Sequence, residues 1–306
     1  MKTVLVTGGA GLIGSTLCRK LVSMGYCVLA IDNMSLGTIE NVEDLLSGGR
    51  FILINENLLN LSALNKVFEE YNIDTIYHLA SNTSIPRGQQ NMELDFNNTF
   101  LITINLLQMA SKYKIKKFVF TSSSTIYGNS EYDINEYTLM HPISFYGAAK
   151  MSCEAFISAF SSCFNIQAWI LRLCNVVGTH VNHGIVYDLK QQINNGNKII
   201  KVLGDGCQEK PFLYVDDAIE GIIYVTSNTT EMLNIYLIGN RDTITIHKIA
   251  EIALEENKIE AGILVDKTPT WSGDVQKYKY DISKVVSLGW EPRYTSEEAI
   301  RKSFKK

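Results

Sequence analysis

A chain of 306 residues, 46% of them hydrophobic and 20% charged, is long enough to bury a sizeable core and has a composition unlike that of disordered or fibrous chains. Its net charge of −4 offers no basic surface, so nucleic acid is not expected as a partner. No apolar run is long enough to cross a bilayer, and Met1-Lys2 leads straight into the first apolar run. The cysteines (Cys18, Cys27, Cys153, Cys163, Cys174, Cys207) are scattered, with no Cys-x-x-Cys and no neighbouring His pair. Reduced thiols in a cytoplasmic protein, with no membrane span and no metal site, are the expectation.

In chain order, Val4-Leu5-Val6-Thr7 reads as a buried strand that breaks into Gly8-Gly9-Ala10-Gly11-Leu12-Ile13-Gly14. A helical pattern then follows, carried by Leu12, Ile13, Leu17, Leu21 and Val22. Glycine is needed in such a turn because a Cβ would keep a diphosphate off the backbone. The unpaired N–H groups and positive dipole of the helix start favour the anion. A second strand, Cys27–Ile31, ends at Asp32, roughly twenty residues past the glycines. A carboxylate there accepts both ribose hydroxyls of an adenosine and repels a 2′-phosphate, and Asn33-Met34-Ser35 holds no cation to meet one. The motif predicts NAD rather than NADP.

Phe51–Ile54 predicts a third strand with Asn57-Leu58 beyond its end, and a helix runs from about Ser62 to Tyr71. Thr75–Ala80 is a fourth strand, whose His78 reads as a satisfied core histidine. A long amphipathic helix over Leu94–Lys112 leads to a fifth strand, Lys117–Phe120. Strands alternating with helices at this spacing give an α/β fold with a doubly wound parallel sheet and right-handed crossovers, binding ligands past the carboxyl ends of its strands. After Trp169–Leu173 the elements become shorter. The expected division is a dinucleotide-binding domain over 1–174, with roughly 212–240 returning to it, and a smaller mixed α/β substrate lobe over 175–211 and 241–306. Phe212–Val215 and Asn234–Ile238 are expected to rejoin the main sheet.

The fifth strand runs into Thr121-Ser122-Ser123-Ser124-Thr125-Ile126-Tyr127-Gly128, which sets a hydroxyl cluster at the carboxyl edge. Downstream, Tyr146 and Lys150 are four apart on a predicted helix and so share a face. A free phenol with a pKa near ~10 is ionised about once in a thousand at pH 7. A nearby ammonium favours the phenolate, which makes Tyr146 a general base toward an alcohol, with Lys150 as its tuner and a contact of the cofactor ribose.

These residues together resemble the extended short-chain dehydrogenase/reductases of the nucleotide-sugar epimerase/dehydratase family, close to the UDP-glucose 4-epimerase-like branch. The resemblance covers nearly the whole chain. Beyond the glycine turn, Asp32-Asn33, His78-Leu79-Ala80, the serine cluster and Tyr146…Lys150, it rests on Leu171-Arg172-Leu173-Cys174-Asn175-Val176-Val177-Gly178, Gly204-Asp205-Gly206 and Tyr214-Val215-Asp216-Asp217. Asp281-Ile282-Ser283-Lys284…Leu288-Gly289-Trp290-Glu291-Pro292 completes it. It implies a Rossmann sheet in which Gly8, Gly11, Leu12, Ile13, Gly14, Asp32, Asn33, Asn57, Leu58, Leu79, Ala80, Tyr146 and Lys150 hold NAD. It also implies catalysis by Ser123, Tyr146 and Lys150. A nucleotide-diphosphate sugar would be held by Ser84, Ser123, Asn175, Leu203, Lys210, Phe212 and Asp274, and a homodimer would form through a four-helix bundle. Leu101, Ile104 and Met109 are the apolar positions expected to face outward for that bundle.

Some positions depart from the family pattern. Ser124 and Thr125 stand where dehydratases carry an acidic pair, which disfavours 4,6-dehydration. Lys210 and Trp271 stand where relatives usually have arginine, so bidentate phosphate recognition is weaker, and Thr99 replaces a usual Asn. The implied activity is NAD-dependent 4-epimerisation through a 4-keto sugar. The alternatives are a C4 dehydrogenase/reductase that releases the ketone and a non-catalytic dinucleotide-binding module.

Overall fold

The structure, a computed structural model, describes residues 2–130, 132–266 and 273–305. The strands are β1 (Thr3–Thr7), β2 (Cys27–Asp32), β3 (Phe51–Asn55), β4 (Ile73–His78), β5 (Lys117–Ser123), β6 (Gln167–Leu173) and β7 (Asn175–Val177). They continue as β8 (Ile199–Leu203), β9 (Glu209–Lys210), β10 (Phe212–Tyr214), β11 (Leu233–Ile238), β12 (Ile244–Thr245) and β13 (Gly262–Asp266). The main sheet has the order β11-β6-β5-β4-β1-β2-β3, with every pairing parallel. The chain leaves β1 toward β2 and β3 and then returns to build β4, β5 and β6 on the other side. A crevice therefore opens between β1 and β4 at the carboxyl edge.

Side-chain alternation divides the strand residues between two cores. Val4, Val6, Val28, Ala30 and Val119 pack on one face with Leu17, Leu21, Ile219 and Ile222 from the helices Leu12–Ser23 and Val215–Asn228. Leu5, Leu29, Ile31, Phe118 and Phe120 pack on the other with Leu64, Phe68, Leu106 and Ile157. Both faces are covered, so these strands read as continuous apolar runs. A third cluster joins Val177, Leu189, Ile200, Val202, Phe212, Ile249 and Ile300, away from the main sheet.

Two elements differ from the sequence reading. Phe212–Tyr214 pairs with Asn175–Val177 in a separate two-stranded sheet, and only Leu233–Ile238 rejoins the main sheet. Phe212 and Tyr214 are buried in the third cluster, which holds that strand away from β6. The long helix begins at Met92 and passes through a π-helical segment, Phe96–Leu101, before the α-helical run Ile102–Lys112. Within it the Thr99 carbonyl accepts from Thr103 Oγ1 at 2.6 Å and from Cys153 Sγ at 3.6 Å. Side-chain donors of this kind enter a helical ladder where it is locally widened.

The turn after β1 is set by contact as well as by conformation. Gly8 has φ +69°, and a Cβ on it would lie 2.9 Å from the Ala80 nitrogen. A Cβ on Gly14 would lie 2.0 Å from the Gly8 carbonyl oxygen, so the first helical turn rests directly on the glycine loop. Gly14→Ala is expected to lower the free energy of unfolding by about 1–3 kcal/mol in urea denaturation. Gly48→Ala, whose Cβ would meet only the Leu45 oxygen at 3.4 Å, is expected to change it by about 0.5 kcal/mol or less. Equal effects of the two would contradict this packing.

Candidate active site

A cleft at the carboxyl edge is lined by Gly8, Gly11, Asp32, Asn33, Asn57, Leu58, Leu79 and Ala80, which brings most of the residues expected to hold the dinucleotide into one place. Leu12 turns instead toward Gly178, whose Cβ would lie 3.1 Å from Leu12 Cδ1, and Ile13 packs on the core. Gly14 is buried under the turn. These three can serve a ligand only through the backbone at the helix start. That start carries no side-chain cap and no acidic residue in its first turn. A Cβ on Gly11 would meet nothing nearer than the Gly8 oxygen at 3.4 Å, so the protein's own packing does not require glycine there. An uncapped helix start beside open space that a side chain would fill fits a diphosphate.

The buried Asp32 carboxylate accepts from the nitrogens of Ala10 at 3.0 Å and Met34 at 2.9 Å, leaving lone pairs for ribose hydroxyls. Asn33 Oδ1 accepts from the Ser35 nitrogen and hydroxyl. Asn57 Oδ1 caps the Leu59 nitrogen.

At the inner end of this edge Tyr146 opens the helix Phe145–Phe164, which is capped by Ser144 Oγ on the Gly147 nitrogen. Ser123 and Ser81 are the nearby hydroxyls that favour the ionised form of the Tyr146 phenol. Ser123 Oγ accepts from the nitrogen and hydroxyl of Thr125, at 3.2 and 3.0 Å, so its own proton is left to donate. Lys150 Nζ donates to the Thr121 carbonyl at 2.8 Å and lies 4.7 Å from the Phe120 ring centre and 5.8 Å from that of Tyr146. The expected lowering of the phenol by this ammonium is not what the structure shows. Burial pushes Tyr146 up to about 12, against smaller opposing effects of Ser123 and Ser81, and pulls Lys150 down to about 8. Desolvation outweighs the hydroxyl effects that favour the phenolate.

His78 is the core histidine that the sequence suggested. Its Nδ1 meets Thr7 Oγ1 at 2.7 Å and its Nε2 meets Thr103 Oγ1 at 2.9 Å. Burial lowers its pKa and keeps it neutral. Beneath the site, Glu154 and Arg172 form a buried ion pair at 2.7 Å. Glu154 also accepts from Ser122 at 2.5 Å, and Arg172 donates to Tyr127 at 2.7 Å and to the Glu136 carbonyl. Removing one member leaves a buried charge unpaired, typically a loss of about 3–5 kcal/mol.

The residues assigned to the sugar nucleotide are more dispersed. Ser84 caps the helix Ile85–Gln90. Asn175 Nδ2 donates to the Pro211 carbonyl and the Tyr278 hydroxyl, which also accepts from Ser124. Lys210 and Asp274 form an ion pair at 2.7 Å. Leu203 is half exposed at the end of β8, whereas the Phe212 side chain is buried in the third cluster. Trp271 lies outside the described residues. Sequence reasoning missed Ser81 and Asn82, which line the cleft. A run of polar residues directly after Leu79-Ala80, at a strand's carboxyl end, was the available signal.

Residues 4–239 match the NAD dependent epimerase/dehydratase family. The chain superposes over 98% of its length on 97% of a UDP-galactose 4-epimerase, at 30% identity and a TM-score of 0.89. It covers 98% of the UDP-glucuronic acid 4-epimerase from Bacillus cereus, solved with UDP-glucuronic acid and NAD, over 99% of this chain at 28% identity and a TM-score of 0.89. UDP-glucuronic acid decarboxylase 1 of Danio rerio is 29% identical over 314 residues, 99% of this chain and 72% of that protein. The chain belongs to the NAD dependent epimerase/dehydratase family, and it is an NAD-dependent nucleotide-sugar enzyme of the extended short-chain dehydrogenase/reductase type. Among the described residues, no helix is long and apolar enough to cross a membrane.

The lowered Lys150 value gives a signed pH effect. An unfolded lysine titrates near ~10.4, and the buried one near about 8. Between these values the unfolded chain holds a proton that the folded chain has lost, so stability from this group rises with pH. Denaturation of the parent and Lys150→Met across pH 7.5–10 (~8 to ~10.4 being the titration window) is expected to show a rise in the parent that the variant lacks. Parallel curves would contradict it.

Proposed function

We propose that this protein is a 4-epimerase of a UDP-linked sugar, working through a 4-keto intermediate with NAD held against the glycine turn. The observation that carries the reading is Lys150 bonded to the Thr121 carbonyl near the end of β5 and lying 5.8 Å from the Tyr146 ring centre, at the sheet edge that also forms the Gly8–Gly11–Asp32 cleft. NAD held there by the Gly8–Gly11 turn and Asp32 would supply a reversible two-electron acceptor for the C4 hydrogen. Tyr146 takes the C4 hydroxyl proton and later returns it, Ser123 donates to the C4 oxygen, and Lys150 anchors the wall formed by Thr121. Ser84, Asn175, Leu203, Lys210, Phe212 and Asp274 hold the nucleotide end. Within that group the Lys210–Asp274 pair offers an ammonium to the diphosphate and a carboxylate to a ribose hydroxyl.

The division of labour follows the layers, with 1–174 and the returning part of 212–240 serving NAD, and 175–211 with 241–306 serving the sugar nucleotide. A homodimer through a four-helix bundle is supported by an aromatic seam on the helices at 92–112 and 145–164. Phe96, Phe156 and Phe164 are about half exposed, and Phe100 contacts both Phe96 and Phe156. Leu101 and Ile104 are partly buried, while Met109 faces its own core. The free thiols support a cytoplasmic setting.

Incubation with UDP-sugars, enzyme-bound NAD and no added acceptor is expected to yield the C4 epimer. Tyr146→Phe is expected to lower turnover at least ~100-fold. A ketone that accumulates only with an added carbonyl acceptor, or CO2 released from UDP-glucuronic acid, would contradict the reading.

A further inference from the structure

We propose that Asn182 is a positioning residue for the cofactor: it latches the loop that walls one side of the dinucleotide cleft, and so slows the release of NAD. The inference rests on the cofactor site and not on the identity of the reaction.

The loop follows β2. It leaves Asp32 through Met34, whose φ of +55° lies in the left-handed region that residues with a side chain rarely adopt. Such a conformation persists where its surroundings fix it, and here the Met34 nitrogen donates to Asp32 Oδ1 at 2.9 Å. The far end of the loop is held against the glycine turn. The Ala10 carbonyl accepts from the Thr38 nitrogen at 3.2 Å and from Asn41 Nδ2 at 2.8 Å. Between these anchors Leu36 and Gly37 line the cleft. A Cβ on Gly37 would lie 2.9 Å from Asp32 Oδ2 and from Ala10 Cβ, so the loop rests directly on the carboxylate that faces the ribose. Among the described residues, Leu36 and Gly37 take part in a single hydrogen bond, in which the Leu36 carbonyl accepts from Asn182 Nδ2.

Asn182 reaches that loop from 146 residues further along the chain. It belongs to the segment 178–183, between β7 and the helix Gly184–Asn194. The segment starts over the glycine turn, where a Cβ on Gly178 would lie 3.1 Å from Leu12 Cδ1. Lys190 Nζ then ties it to the helix by donating to the Thr179 carbonyl at 2.8 Å. That helix buries Val186, Leu189 and Ile193 in the third cluster, away from the main sheet. Asn182 Oδ1 meets His183 Nδ1 at 2.8 Å, which engages the amide oxygen and leaves Nδ2 to donate. The reverse amide orientation would set two acceptor oxygens against each other at Leu36.

The segment is therefore a strap, anchored outside the sheet, that passes the glycine turn and pins the middle of a loop whose ends are already fixed. Asn182 itself does not line the cleft and acts through Leu36. Cutting the pin leaves both loop anchors in place, so the cofactor still enters, but the wall opens more often once it is bound. Preorganisation of this kind is read in dissociation more than in association.

The test is displacement of bound NADH by excess NAD, followed by nicotinamide fluorescence in a stopped-flow instrument. Asn182→Ala is expected to release NADH ~5–10-fold faster than the parent, with uptake within about twofold of it. Asn182→Asp keeps the size and the acceptor but cannot donate to Leu36, and should match Asn182→Ala. Release at the parent rate in either variant, or uptake changed as much as release, would overturn the inference. A parent protein that binds no NADH would instead overturn the cofactor site itself.

Discussion

Two ionisable groups share a dry corner of the sheet edge, and burial drives both toward their neutral forms. The phenol of Tyr146 is pushed up and the ammonium of Lys150 is pulled down. Lys150 Nζ is bonded to the Thr121 carbonyl. What favours the phenolate has to act on its oxygen directly, through hydroxyls that donate to it and through charge brought in with the cofactor.

The fold supplies this corner because the chain reverses its order between β1 and β4. The reversal opens the crevice in which Gly8, Gly11 and Asp32 face Leu79, Ala80 and Ser81, and β5 ends at Ser123 on the same edge. The Glu154–Arg172 pair ties the helix that carries Tyr146 and Lys150 to β6 and to the segment holding Tyr127 and Glu136. Asn175, Lys210 and Asp274 lie on a different set of elements, β7 to β10 and the chain around Asp274.

Much of this was legible in the residues. The glycine turn, Asp32 and the serine cluster are local signals whose chemistry depends on one short segment each. The apolar alternation of Val4–Val6 and Val28–Ile31 reports a strand covered on both faces. Even His78 was readable, since a lone histidine among apolar residues at a strand end has core partners more often than a substrate. What escaped depends on long-range contact. The π-helical segment at Phe96–Leu101 follows from donors on Thr103 and Cys153. The pairing of β10 with β7 follows from burial of Phe212 and Tyr214 in a cluster assembled from distant elements. The Lys210–Asp274 pair joins residues 64 apart. Met109 turned inward although its spacing matched the outward face, because a periodic pattern gives the angle between residues and not which face meets the core.

In this mechanism the C4 hydrogen leaves and returns within one site while Tyr146 handles only the hydroxyl proton. Epimerisation run in D2O, with the product read by proton NMR, tests it most directly. The account predicts protium fully retained at C4 and at its neighbouring carbons in the epimer. Deuterium at C4, or at C3 or C5, would show that a carbon-bound proton had exchanged with solvent and would contradict it.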